Sequence, residues 1–334
     1  MEFGDFSKIS EKIWNQSISK ALKLDNIADF ERRKYQDLEL PSFNFPEPVS
    51  SFNEPLICGS DGWLIGSKVE TEDSNKNANI LSSLNHGASA IQLSLNSDDA
   101  LKDCLNEVYL SMIYLDLDPC TTDDSLAEYL ELSQDSKKSI LRGAINFQKL
   151  STEKQNTVKE LNQFHLLTIE SKAETITEEL AELARKIVDA IDFVTKNNLS
   201  LSQVRLDTKV GVYLPANVAK LRAIRLLWAN LLKAYDQDFQ ALFIVANTEI
   251  SPSASAENKL IENTTATINA AIGTANLIYG GNLGTEDGRL HQNIQHILKL
   301  ESNLHQIVDP MAGSYAIENL STSLAEKAWN SLPS

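Results

Sequence analysis

Three stretches of the chain gather side chains of the kinds used in acid–base and nucleophilic chemistry. They are Thr168-Ile169-Glu170-Ser171-Lys172, Asn247-Thr248-Glu249-Ile250-Ser251 and Asp309-Pro310-Met311-Ala312-Gly313-Ser314-Tyr315. Each follows or ends a β-rich run, and the C-terminal ends of strands are where barrel folds place their reactive groups. Loop Ser, Thr and Asn also cap the next helix, so a capping role stands beside the chemical one. The histidines, His86, His165, His291, His296 and His305, form no H-E-x-x-H or other ligand spacing, and His291 and His296 fall off a shared helical face. No metal site is expected. Asp116-x-Asp118 and Asp123-Asp124 resemble a cation cluster but lack the glycine and downstream glutamate of a calcium loop, so helix capping and solvation are expected of them. Tyr279-Gly280-Gly281-Asn282-Leu283-Gly284 fits neither phosphate-loop pattern; a helix C-terminus followed by a turn accounts for its glycines. There is no G-x-S-x-G elbow, and no cysteine has a partner base in sequence.

The elements that would position these residues alternate. Strand candidates fall at 62–69, 90–95, 108–115, 141–147, 164–170, 204–210, 241–247 and 307–317. Helical patterns lie near 74–86, 97–105, 123–135, 150–160, 174–197, 216–236, 258–279, 289–304 and 319–332. Alternating strands and helices imply a parallel sheet with right-handed crossovers, and eight units over about 270 residues have the size of a (β/α)8 TIM barrel. A doubly wound open sheet is the competing arrangement, and the runs at 108–115 and 141–147 also read as helix. Within 216–236, Leu221, Ile224, Trp228 and Leu231 share a helical face while Lys220, Arg222 and Arg225 are placed to reach outward. Ser323-x-x-Glu326 is a capping-box candidate for the start of the last helix, and Tyr315 is read as part of the final strand. Residues 1–55 read as an N-terminal arm, helical and then proline-interrupted through Pro41 to Pro48; 56–334 read as the barrel. The arm's Trp14, Phe43, Phe45 and Phe52 would cover a surface, either this chain's or a partner's.

Composition narrows the function classes. Thirty Lys and Arg against 46 Asp and Glu give a net charge of −16, so nucleic acid is not an expected partner. Three cysteines, Cys58, Cys104 and Cys120, without C-x-x-C spacing fit a reducing compartment. No apolar run reaches the roughly 18 residues of a membrane span, and the N-terminus lacks a signal-peptide pattern, so no membrane partner is expected and the expected location is cytoplasmic.

The C-terminal third carries a family resemblance. Ala219-Lys220-Leu221-Arg222-Ala223-Ile224-Arg225-Leu226-Leu227-Trp228-Ala229 comes first. Then follow Asn293-Ile294-Gln295-His296-Ile297-Leu298-x-x-Glu301-Ser302, Asp309-Pro310-x-x-Gly313-Ser314-Tyr315-x-x-Glu318-x-Leu320 and Ala328-Trp329. Together they resemble the barrel domain of methylmalonyl-CoA mutases. Upstream, Gly62-Trp63-x-Ile65 and Asn79-Ile80-Leu81-x-x-Leu84-x-x-Gly87, with the arm ending in Pro41 to Pro48, look most like the small subunit of the heterodimeric enzymes. The resemblance implies a (β/α)8 barrel that holds acyl-CoA along its axis, and a separate C-terminal domain carrying adenosylcobalamin, for radical interconversion of (R)-methylmalonyl-CoA and succinyl-CoA.

Against that family pattern the chain departs in two ways. It contains no D-x-H-x-x-G segment, whose histidine ligates cobalt, and Ser334 comes directly after the last barrel helix; no C-terminal cobalamin-binding domain and no cofactor bound by this chain are therefore expected, with adenosylcobalamin placed in the partner subunit. The family's substrate-contacting motifs fall on Ile169-Glu170-Ser171-Lys172, Asn247-Thr248-Glu249-Ile250 and Lys259-Leu260-Ile261-Glu262-Asn263-Thr264. The tyrosine and histidine are missing, and Glu262 stands where an arginine would clamp an anion. Ser171, Lys172, Asn247, Thr248 and Glu262 are the substrate-pocket candidates; no catalytic residue is assigned. The implied function is that of a noncatalytic, structural small subunit of a cobalamin-dependent mutase, paired as a heterodimer with a large catalytic chain. The alternatives are a substrate-binding barrel of a split acyl-CoA mutase served by a separate cobalamin protein, and a stand-alone barrel.

Overall fold

The computed structural model describes residues 9–23, 32–41, 44, 62–73, 75–96, 99–134, 140–281, 283 and 289–333. In chain order the elements are α1 (Glu11–Leu22), β1 (Arg32–Tyr35), β2 (Leu38–Pro41), β3 (Leu64–Val69), α2 (Lys76–Asn85), β4 (Ala90–Leu93), α3 (Leu101–Cys104) and β5 (Tyr114–Asp116). Next come α4 (Asp123–Leu132), β6 (Arg142–Ala144), α5 (Thr152–Val158), β7 (Phe164–His165), β8 (Leu167–Glu170), α6 (Ile176–Asn197), β9 (Val204–Val210) and α7 (Leu214–Ala234). The last are β10 (Phe243–Thr248), α8 (Ala256–Ile272), β11 (Leu277–Tyr279), α9 (Arg289–His296), a π-helical turn (Ile297–Glu301) and α10 (Tyr315–Asn330).

The large sheet closes on itself. Its strands pair in parallel in the order β7-β6-β5-β4-β3-β11-β10-β9-β8. The two ends of that order, β7 and β8, are one strand interrupted at Leu166, with β7 on β6 and β8 on β9. Eight staves therefore form a ring, and the expected (β/α)8 barrel is what the chain builds; the open-sheet alternative is excluded by that closure.

Alternation along each strand divides the residues into two layers. Outward positions such as Leu206, Ile244 and Ile278 are fully buried beneath the helices, where each side chain of this size is worth about 1.5–3 kcal/mol. Inward positions, Ala90, Tyr114, Ala144, Val245, Leu277 and Tyr279, pack on one another across the lumen. Gly66 of β3 faces Tyr279 so closely that a Cβ there would sit 2.4 Å from the tyrosine ring.

The outer helices follow from capping and periodicity. Thr175 caps α6 by accepting the Glu178 N–H, Asn198 ends it at φ 53°, and Leu180, Leu183, Ala184, Ile187, Ile191 and Val194 form its buried stripe. Helix α7 is buried on almost every side, because α6, α8 and α10 all pack against it.

Several sequence expectations are corrected. The eighth strand is Leu277–Tyr279, not 307–317: Gly273 ends α8, and Thr274 turns the chain at φ 65°, which stops the helix expected to run on to 279. Residues 307–314 are loop and turn, and Tyr315 is the first residue of α10, behind the N-cap Ser314; Ser323 lies inside that helix and starts nothing. The Gly280-Gly281 pair accordingly follows a strand, not a helix. Of 108–115, only Tyr114 and Leu115 fall in strand, at the start of β5, with Leu110–Met112 a 3-10 turn.

Part of the arm is described. β1 and β2 form an antiparallel hairpin whose Leu38 and Leu40 are buried in the main core. Tyr35 stacks on Tyr213 at 4.3 Å between ring centres, and the Gln36 side chain accepts the Ile176 N–H at the start of α6. This hairpin covers its own barrel. In α1 Trp14 is half-buried, while Ile9, Ile13 and Leu22 are exposed. Phe43, Phe45, Phe52 and the 55/56 boundary lie outside the described residues.

Candidate functional site

Strand β9 alternates apolar Val204, Leu206 and Val210 with charged Arg205, Asp207 and Lys209. Since β9 is a barrel stave, the charged set points at the axis. Arg205, 1% exposed, lies inside the barrel and is held from three sides. Its guanidinium donates to Asp116 Oδ2 at 2.8 Å, to Asp118 Oδ2 at 3.4 Å and to Asp207 Oδ2 at 3.2 Å. Nε donates to Thr168 Oγ1 at 3.0 Å, and Thr168 in turn donates to Asp118 Oδ2 at 2.6 Å. Gln92 donates to Asp116 at 3.1 Å, and the Tyr279 hydroxyl to the same carboxylate at 3.4 Å.

Directly beneath, an aromatic layer closes the axis. Tyr114 and Phe243 stack with ring centres 5.5 Å apart, His165 lies 4.3 Å from Phe243, and the Tyr114 hydroxyl shares a 2.9 Å hydrogen bond with His165 Nδ1. Burial dominates the electrostatics here. Burial, with Arg205 alongside, pushes His165 down to about 3, so its ring is neutral; burial raises the Tyr114 and Tyr279 phenols. Asp207 is pushed up to about 7 by burial, against the pull of Arg205. Burial would lower Arg205, but the acidic groups around it raise it well above its ordinary value. The expectation that Asp116 and Asp118 cap and solvate a helix is therefore corrected: Asp116 is fully buried and both carboxylates serve Arg205. Asp123 and Asp124 do stand in the first turn of α4, as expected.

The five pocket candidates do not converge. Ser171 donates to Glu182 Oε2 at 2.6 Å and accepts the Ala173 N–H, a local turn before α6; Lys172 beside it is exposed. Asn247, on the same face of β10 as Phe243 and Val245, looks into the lumen mouth, whereas Thr248 points outward between β10 and α8. There its hydroxyl donates to Asn263 Oδ1 at 2.6 Å and accepts the Gly281 N–H at 2.7 Å. Glu262 accepts the Ser251 N–H at 2.7 Å. Thr248 and Glu262 share an open cleft of ≈ 860 Å³ at the C-terminal ends of β9 to β11, with Tyr35, Ile250 and Lys259. The Asp309 to Tyr315 stretch is not at that mouth. It follows Leu304, His305, Ile307 and Val308, which pack with Gly62, Trp63 and Asn276 at the N-terminal end of the barrel.

Lys220, Arg222 and Arg225 were placed outward; all three are buried. Lys220 pairs with Glu179 of α6 at 2.8 Å and donates to the Lys209 carbonyl. Arg222 pairs with Asp309. Arg225 donates to the carbonyls of Leu242 and Thr274 and to Asn276. A helix buried on all sides leaves its cations no route to water, so each must find a partner. These residues fasten staves and helices, as expected of scaffold signals.

A corrinoid of the family's kind does not fit the described residues. His165 is enclosed in the lumen, His86 and His296 are each engaged with a backbone carbonyl, His291 Nε2 is buried, and His305 lies at the N-terminal end of the barrel, so no described histidine is placed at the mouth as a cobalt ligand. Among the described residues no group of three or more His, Cys, Asp or Glu could hold a metal. No described helix is long and apolar enough to cross a membrane.

Comparison with known proteins agrees with the sequence resemblance. Residues 180–334 match the family model described as methylmalonyl-CoA mutase. Over 98% of its length the chain is 25% identical to the methylmalonyl-CoA mutase small subunit of Porphyromonas gingivalis, and over 85% it is 24% identical to a probable methylmalonyl-CoA mutase small subunit of Mycobacterium tuberculosis. It spans 63% and 55% of those two relatives. Among solved structures, dihydropteroate synthase from Yersinia pestis aligns at TM-score 0.45 and 10% identity, over 82% of this chain and 99% of that one.

Proposed function

From this similarity to methylmalonyl-CoA mutases, and to their small subunits over nearly its whole length, we propose that the chain is a noncatalytic, structural subunit of a cobalamin-dependent methylmalonyl-CoA mutase. It stands beside a larger chain that carries adenosylcobalamin and interconverts (R)-methylmalonyl-CoA and succinyl-CoA. The observation that carries the reading is the filled axis. A thioester threaded through a barrel needs an open lumen, and here the Arg205 ion-pair layer and the Tyr114, Phe243 and His165 layer lie across it. Opening that passage would strip Arg205 of its carboxylates at a cost of several kcal/mol per ion. The scaffold side chains are kept and paired, while the positions of the family's substrate-contacting motifs are scattered. Fold and site are separable, and a barrel of this kind serves as a partner rather than a reactor.

The test is reconstitution. Supplied with methylmalonyl-CoA and adenosylcobalamin, the chain alone is expected to show no turnover; co-expressed with a large mutase subunit it should co-purify as a heterodimer and leave with that activity. Robust turnover by the isolated chain, or a monodisperse monomer that ignores the large subunit, overturns the reading. The mouth cleft lined by Thr248, Lys259 and Glu262 favours the competing assignment, a substrate-binding barrel that pairs with a separate cobalamin protein.

A further inference from the structure

The lumen cluster does not balance its charge. Asp207 faces Arg205 on its own strand and lies in register with Glu170 across the β8–β9 ladder. Asp116 and Asp118 converge on the same guanidinium from the β5 side, where the Tyr114 hydroxyl also accepts from it. Lys68 of β3 lies 5.4 Å from the centre of the Tyr279 ring of β11, and acts on Asp207 electrostatically, as does Tyr279. From β10 the residue in register is Val245, which carries no charge. Lys209, two residues along β9, is exposed and paired with Glu249; Glu170 is exposed to solvent.

Three carboxylates thus share one buried cation, the Arg205 guanidinium, with the exposed Lys68 standing outside the enclosure. The geometry of Asp207 identifies which carboxylate is poorly served: its Oδ1, 3.1 Å from Arg205 Nε, is buried and accepts no hydrogen bond, because Nε donates to Thr168 instead. A charge on that oxygen would have the guanidinium beside it but no hydrogen bond to stabilise it.

We propose that the lumen of this barrel is a proton-binding site, in which one proton carried by Asp207 reduces the excess of the Asp116, Asp118 and Asp207 carboxylates over the Arg205 guanidinium and holds the barrel closed, making the chain's stability sensitive to pH near neutrality. The elevated titration of Asp207 agrees with the charge count. An unfolded aspartate releases its proton near pH 4. Between about pH 4 and pH 7 the folded chain therefore holds a proton that the unfolded chain has lost, and the stability this proton supplies drains away as pH rises through that window. Buried His165 works in the opposite sense over part of the same range, so the parent's own curve mixes the two.

The test is a comparison that cancels His165. Thermal unfolding of the full chain and of Asp207→Asn is followed by circular dichroism from about pH 5 to about pH 8.5. The variant's melting temperature is expected to gain on the parent's by a few degrees as pH rises to about 7, the gap then staying constant. Parallel curves overturn the proposal. Should Asp207→Asn fail to fold, infrared difference spectra of the parent between about pH 6 and about pH 8.5 decide: the carbonyl stretch of a protonated, buried carboxylic acid should be present at the lower pH and lost at the higher. In Asp118→Asn, where one carboxylate fewer needs balancing, the band should be diminished. A parent without that band at about pH 6 carries no such proton, and the proposal falls.

Discussion

Arg222 of α7, which is buried, and Asp309, 87 positions later in the loop before α10 and half-buried, form an ion pair. Glu318 of α10 lies 3.8 Å from the same guanidinium. The pair ties the last helix to the most buried one, and it joins two of the blocks that carry the family resemblance. Removing one partner leaves the other poorly paired in a site only partly open to water, so Arg222→Ala and Asp309→Ala should each lower the unfolding free energy by about 1–3 kcal/mol. Denaturant titration of both single variants and the double variant reads this directly. Strict additivity in that cycle would mean the two groups are not coupled.

That block had been legible as scaffold but not as mechanism. Lys220, Arg222 and Arg225 look like the wet side of an amphipathic helix, because in isolation a cation four or fewer residues from Leu and Ile sits at the edge of an apolar stripe. Only the layering of α6, α8 and α10 around α7 shows that no wet side exists. The β9 strand presents the same problem in another form. Its alternation gives its length and its two faces, and its span was read to the residue. Which face meets the axis, and that Asp116 and Asp118 stand across the ring, depends on closure that no local pattern encodes. The Leu277–Tyr279 stave was missed because three residues are too few for a period and they follow an Ala-rich helix. Residues 307–317 carry Ile307, Val308 and Tyr315, strand-favouring types that here fall, exposed, in a loop and at the first position of α10.

The hairpin offers a check on how the arm is held. Leu38 is 3% exposed and belongs to the same core as Trp63 and Leu206. Leu38→Ala should cost about 2–5 kcal/mol and admit protease between the arm and the barrel. A loss below about 0.5 kcal/mol, within the range of surface substitutions, would mean that the hairpin does not share the barrel's cooperative unfolding.

His165 provides a pH dependence of known sign. Its folded value near 3 lies below the ordinary histidine value near 6.5, so the unfolded chain takes up a proton that the folded chain refuses. Stability from this group is complete above about pH 6.5 and falls as pH drops toward about 3, by an amount on the order of 5 kcal/mol. In His165→Gln the acid limb of the melting-temperature profile should flatten over that range. An unchanged slope would place the imidazole in contact with water.

Arg205 separates sealing from mere packing. Arg205→Ala leaves three carboxylates enclosed without their guanidinium and should destabilise the barrel by about 3–5 kcal/mol. Replacing the group as a unit, with Arg205→Met, Asp116→Asn, Asp118→Asn and Asp207→Asn together, exchanges the ions for neutral groups of comparable volume and should recover most of that loss. Equilibrium unfolding of the two variants, compared at fixed pH, reads the difference. A quadruple variant no more stable than Arg205→Ala would mean that the layer is held by something other than charge.

The last prediction concerns the residues at the mouth. Thr248 satisfies Asn263 and the Gly281 N–H, and Lys172 is exposed beside a turn that Ser171 and Glu182 build. Neither looks down an open axis, since Arg205 and its carboxylates lie across it. In a complex reconstituted with a large mutase subunit, Lys172→Ala should therefore leave turnover unchanged within about twofold. Thr248→Val should act through stability alone, because it removes a buried hydrogen bond worth on the order of 1 kcal/mol and no contact to a substrate. Steady-state rates normalised to the amount of intact heterodimer distinguish these effects. A large fall in the normalised rate for either variant would locate substrate on this chain and favour the split-mutase assignment over the structural one.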